Sequence, residues 1–223
     1  DSFITYYPKG NQNITITGIE LNAENNNGVA NSLLLSPSRF NIVTMHGQES
    51  ISVGKDKTQI VNIKELRNKN IDYLALGHIH YYKEEKLDEG GVYCYSGCLE
   101  GRGFDEPGDH GFVLLTIDEE KKTQSREFVK FAARDMVILN CDITDCMTTM
   151  DVIDRIDDSI AEASVRSRDL LKIVLKGQTD VEAERDANYI AKHYEDKFYF
   201  VKVCDESSLK INIDDYLMDM SLK

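Results

Sequence analysis

Ile71-Asp72-Tyr73-Leu74-Ala75-Leu76-Gly77-His78-Ile79-His80 is an apolar run that stops abruptly at a glycine and two histidines one residue apart. The run has the length and composition of a buried strand, and the Gly-His-Ile-His that follows predicts metal ligands delivered to one edge of a sheet. In extended backbone, side chains at i and i+2 share a face about 6.5 Å apart, so both imidazoles reach one small cluster of ions. The same arrangement occurs earlier, where Phe40-Asn41-Ile42-Val43-Thr44-Met45 runs into His46-Gly47. Three of the five histidines therefore follow two core strands. Strand ends are where α/β folds build sites, and neutral imidazole is the commonest metal ligand.

Working outward, strand signals dominate from residue 12 to about 131: Ile14 to Ile19, Val92 to Tyr95, Gly111 to Ile117 and Glu127 to Phe131. One helix is expected between them, over Ile60 to Arg67, and Asn25-Asn26-Asn27-Gly28 reads as a loop. Many buried strands with few helices imply a sheet-on-sheet core flanked by helices. After Ala132 the rhythm becomes strand, helix, strand, helix, strand. Met136 to Leu139, Leu170 to Leu175 and Phe198 to Val203 are the strands. Thr148 to Asp151 has capping-box spacing and opens a helix with Ile153, Ile156, Ile160 and Ala163 on one stripe. Thr179 to Glu182 is expected to cap the second helix, whose stripe is Ala187, Ile190, Ala191 and Tyr194. The expected organisation is an α/β chain of two domains, a layered β-sandwich over 1–131 and a small two-layer α/β domain over 132–223.

Composition restricts function. The net charge is −13, and residues 1–133 carry 14 basic against 19 acidic side chains while 134–223 carry 12 against 20. Neither half has the basic excess that nucleic-acid binding usually needs, so contact with DNA would have to run through a local patch, a metal ion or a partner. No apolar run approaches the roughly 20 residues of a membrane span, and the opening residues lack a signal-peptide pattern, so a cytoplasmic chain is expected. Five cysteines without a Cys-x-x-Cys pair point to reduced thiols.

Met45-His46-Gly47, then Ile71 through His80, then Tyr95-Ser96-Gly97 with Gly101-Arg102-Gly103-Phe104-Asp105-Glu106 and Gly108 to Gly111, together resemble the second half of a calcineurin-like metallophosphoesterase. Within that superfamily the wording is most similar to bacterial DNA repair exonucleases of the SbcD and YhaO kind, related to the Mre nuclease. The likeness covers roughly residues 12 to 140. The unit after it resembles the family's capping domain in position and layout alone. The resemblance implies that His46 and His78 bind the second metal and His80 the first. It implies two ions as cofactors, usually Mn2+, with Fe2+ or Zn2+ as alternatives. Such ions, about 3.5–4 Å apart, clamp a phosphodiester and lower the pKa of a bridging water. Arg102 and His110 are candidate substrate-binding residues, Arg102 through bidentate phosphate contacts. The implied partners are DNA or another phosphodiester, a Rad- or SbcC-type ATPase, and a second copy of the chain.

The family's Asp-x-His, Gly-Asp-x-x-Asp and Gly-Asn-His-Asp/Glu motifs, which should precede His46, are not in the sequence. They would supply the bridging carboxylate and the catalytic histidine, so no catalytic residue is assigned. Asp1 falls where the text after the last of these motifs would resume, which leads to the expectation of a fragment with weak activity or none. Two other functions remain open. His78, His80, Cys94 and Cys98 are residue types suited to a structural zinc site. A non-enzymatic module that docks an ATPase or DNA would equally suit the C-terminal portion.

Overall fold

The computed structural model describes residues 2–22, 24, 25, 28–49 and 59–210. The loop expected over Asn25 to Gly28 lies partly outside them. The chain is mixed α/β, with several sheets and few helices, and divides into two compact units, one within 1–101 and 108–132, the other within 102–107 and 133–223.

In the first unit the strands are β1 (Ile4–Tyr6), β2 (Ile14–Gly18), β3 (Phe40–His46), β4 (Gln48–Glu49) and β5 (Ile60–Val61). They are followed by helix α1 (Ile63–Leu66) and strands β6 (Tyr73–Gly77), β7 (Lys83–Lys86), β8 (Val92–Tyr95), β9 (Gly111–Asp118) and β10 (Thr123–Lys130). The main sheet has the order β1-β2-β3-β6-β8-β7, in which β2, β3, β6 and β8 run parallel and the two edge strands run antiparallel. A parallel sheet needs cover on both faces, which is why its strands read as continuous apolar runs. One face places Val43, Met45, Leu74, Leu76, Tyr93 and Tyr95 against Leu21, Ala30, Leu33, Val61 and Leu66. The other places Phe40, Tyr73 and Cys94 under Val113, Leu115 and Ile117 of the β9–β10 hairpin. Gln124 Nε2 donates to Asp72 O at 2.7 Å and Arg126 Nε to Glu84 Oε2 at 2.9 Å, pinning that hairpin to the sheet.

The helix expected over Ile60 to Arg67 is only four residues long. Ile60 and Val61 pair in parallel with Gln48 and Glu49 instead, as suits two β-branched side chains, and Asn68 and Asn70, both at φ 59°, end any helical continuation.

In the second unit β11 (Met136–Asp142), β12 (Leu170–Lys176) and β14 (Phe200–Asp205) form a parallel sheet in the order β11-β12-β14. Its crossovers contain α2 (Thr149–Glu162) and α3 (Ala187–Tyr194), while β13 (Gln178–Thr179) and β15 (Ser208–Leu209) make a short parallel ladder. Thr148 and Asp151 form the capping box that their spacing predicts. Val152, Ile153 and Ile156 of α2 share one core with Ile190 and Tyr194 of α3 and with Leu171, Ile173 and Leu175. The second helix starts later than expected. Thr179 belongs to β13, Asp180 accepts the Glu182 N–H in a turn, and Asp186 caps α3 through the N–H groups of Asn188 and Tyr189. The five cysteines are free thiols.

Asp169, 2% exposed, closes the bottom of this sheet. It accepts from Arg166 Nη2 at 2.8 Å and from the Asp135 N–H at 3.0 Å. Burial alone would raise its pKa, but Arg166 and two backbone N–H groups outweigh that and hold it at about 2 against an ordinary 3.8. A carboxyl depressed in the folded state contributes stability that is present above its unfolded pKa and is lost as pH falls through the folded value. The wild type should therefore lose about 2 kcal/mol relative to Asp169→Asn between pH 4 and 2. Urea midpoints of both proteins across that range check this, and parallel curves would refute it.

Candidate functional site

β3 and β6 are neighbours in register, with His46 opposite Gly77, so the residues at their carboxyl ends meet at one edge of the sheet. His46 is the last residue of β3, and His78 follows β6 directly. Their rings meet edge to face with centroids 5.5 Å apart. Two imidazoles bound to one ion through bonds of about 2.1 Å at a tetrahedral angle would have centroids about 5.3 Å apart, so the rings are close enough to share a cation once their nitrogens turn toward one point. Gly77 makes room for the pair, because a Cβ there would lie 2.7 Å from His46 Nδ1. His78 has φ 106°, a conformation that costs a non-glycine residue energy and that tends to persist where the surrounding structure and the site require it.

His80, two residues on, is held by its backbone: its carbonyl accepts the Cys98 N–H at 3.2 Å and lies 3.4 Å from the Cys98 thiol. Gly97, at φ 77°, makes that close crossing possible, since a Cβ would come within 2.8 Å of the same carbonyl oxygen. His110 is 4% exposed and sits with Nδ1 3.4 Å from the Cys98 sulfur, while its carbonyl accepts the N–H groups of Phe131 and Ala132. Asp109 pairs with Lys130 at 2.7 Å. Arg102 belongs to the second unit, where its guanidinium lies 3.5 Å from Glu106. The structure thus brings His46 and His78 together, and pairs His110 with Cys98. Of the zinc alternative, Cys94 lies inside the sheet against Tyr73, which raises the Tyr73 pKa further beyond the effect of burial, and Cys98 points to His110.

Among the described residues, no three His, Cys, Asp or Glu side chains form a group that could hold a metal. The donor set fits part of one cation's shell. It does not fit a carboxylate-bridged pair of ions, so no chemical step is routed through such a pair.

Beside His46 the sheet face opens into a groove of about 1030 Å3. Its floor is small, made by Gly18, Thr44, Ala75 and Gly77, and Ile4 and Tyr6 of the edge strand stand over it, 76% and 61% exposed. Behind the site, Glu49 is buried and receives Lys83 and the Tyr93 hydroxyl, the latter at 3.1 Å. Burial opposes the Lys83 charge, but Glu49 and Glu85 outweigh it and raise the ammonium above its ordinary value. Glu85 is held low by the Tyr93 hydroxyl and by Lys83. This network, the groove and the role of Gly77 escaped the sequence, because each depends on which strands become neighbours. The only local signal was glycine itself, at positions 47 and 77 beside the histidines.

No protein-family model matches this chain, and no curated protein is significantly similar to it. No helix among the described residues is long and apolar enough to cross a membrane.

Proposed function

We propose that the chain works as a calcineurin-like metallophosphoesterase unit, built on that family's layered sandwich and acting on phosphodiesters, DNA ends in repair foremost. The observation that carries this is the edge-to-face contact of His46 and His78 at the carboxyl ends of adjacent parallel strands. Ligands of open α/β sheets bind at that edge. His46 and His78 would hold one divalent cation, Mn2+ first and Fe2+ or Zn2+ otherwise, as neutral imidazoles. A cation there would polarise a phosphoryl oxygen of the substrate. The adjoining groove gives an ester access to His46, and with a net charge of −13 a cation is the simplest attraction for a polyanion. Lacking a bridging carboxylate in this set, the chain is expected to hydrolyse phosphodiesters slowly.

Gly77→Ala tests the site without replacing a ligand. The added methyl would meet the Nδ1 side of the exposed His46 ring, which can rotate out toward solvent at little cost to the fold. Mn2+ affinity, read by calorimetric titration, is expected to fall at least about tenfold, with the urea midpoint nearly unchanged. Unaltered Mn2+ binding would contradict the proposed ligand pair.

A further inference from the structure

Tyr95 is wholly buried in the apolar core, and its hydroxyl lies near the buried Glu49. A buried hydroxyl needs a partner, and this one donates to Gly47 O at 3.0 Å, 48 residues away in sequence. Burial keeps the phenol above its ordinary pKa, so it stays a donor through neutral pH. Gly47 is the residue after His46. Its own N–H donates to Gly77 O at 3.2 Å, and its α-carbon is wedged so that a Cβ would come within 2.6 Å of Gln59 O. Gly77 in turn lies under the His46 ring. The two peptides that follow His46 are therefore both fastened, the first by the end of β6 through the Gly47 N–H and the second by Tyr95 of β8 through the Gly47 carbonyl. Phenylalanine would fill the same core volume but would leave the Gly47 carbonyl without this bond.

We propose that Tyr95 is a positioning residue for His46: its hydroxyl, acting through the Gly47 carbonyl, sets the direction from which the imidazole meets a cation beside His78. This rests on the cation site proposed above.

The test compares wild type, Tyr95→Phe and His46→Ala, following histidine ring signals by NMR in metal-free protein and Mn2+ affinity by titration. In Tyr95→Phe the His46 ring signals should shift and the His46–His78 ring contact should weaken. The signals of His193, in the other unit, should stay in place. Mn2+ affinity should fall roughly tenfold to a hundredfold, as when a partner of a metal ligand is lost. Unshifted His46 signals would overturn the proposal, as would shifted signals with unchanged affinity where His46→Ala abolishes binding. If His46→Ala leaves Mn2+ affinity intact, the cation site itself fails, and the ring signals alone decide whether Tyr95 orients His46. Should Tyr95→Phe not fold, 3-fluorotyrosine at residue 95 keeps the shape and alters only hydroxyl acidity. The His46 signals should then move while those of His193 hold, and immobile His46 signals would count against the proposal.

Discussion

His78→Ala is expected to weaken Mn2+ binding by more than about 100-fold, beyond what loss of an outer-shell partner costs. It removes one of the two rings that meet at 5.5 Å and leaves His46 alone at the strand end. His78→Gly should lose binding equally, but the two variants should separate in stability. At φ 106° alanine keeps the backbone penalty and glycine removes it, so His78→Gly should be the more stable by about 1 kcal/mol. Calorimetric titration with Mn2+ and urea midpoints read both effects. A glycine variant more stable than wild type would mean that the chain gives up stability to aim this imidazole. Equal binding by His78→Ala and wild type would remove His78 from the site.

Gly111→Ala should cost about 3 kcal/mol or more, among the largest losses available to a single methyl group. Gly111 opens β9 opposite Lys130, and a Cβ there would lie 2.0 Å from Val129 O, a backbone atom that cannot turn aside. Relief requires the two strands to part, which lifts Val113, Leu115 and Ile117 off Phe40, Tyr73 and Cys94. The apolar face of the main sheet then meets water. Urea unfolding followed by tyrosine fluorescence measures the loss, and a midpoint within error of wild type would contradict the close packing described at the hairpin start.

The elements that were legible in the sequence are those fixed by local pattern. The runs ending at Met45 and Leu76 are short and rich in β-branched and aromatic side chains, and a doubly covered sheet hides adjacent apolar residues on both faces, while the Thr148–Asp151 spacing opens a helix because both capping bonds are local. Where local and long-range preferences compete, the sequence misleads. Ile60 and Val61 look helical beside Ile63 and Leu66, yet the Gln48–Glu49 strand recruits them, and Thr179 sits in a ladder with Leu209 instead of capping a helix. The site divides in the same way. His46 and His78 meet because they end adjacent strands, and their positions along the chain announce strand ends. His110 gave no sign of its partner: it lies buried against Cys98, 12 residues away, through a loop crossing that no spacing encodes. Arg102 sits in a glycine-rich stretch, and only the tertiary structure shows its backbone N–H and guanidinium beside Glu106. Tyr95 looks like one more packing tyrosine, and only the tertiary structure shows where its hydroxyl goes.

Paramagnetic Mn2+ added in small steps, with the ring signals of all five histidines followed by NMR, tests the cation site most directly. His46 and His78 should broaden together at the lowest Mn2+ concentrations, ahead of His110 and His193. Sharp signals from His46 and His78 while other histidines broaden, or uniform broadening of all five, would show that the two strand-end imidazoles do not share a cation.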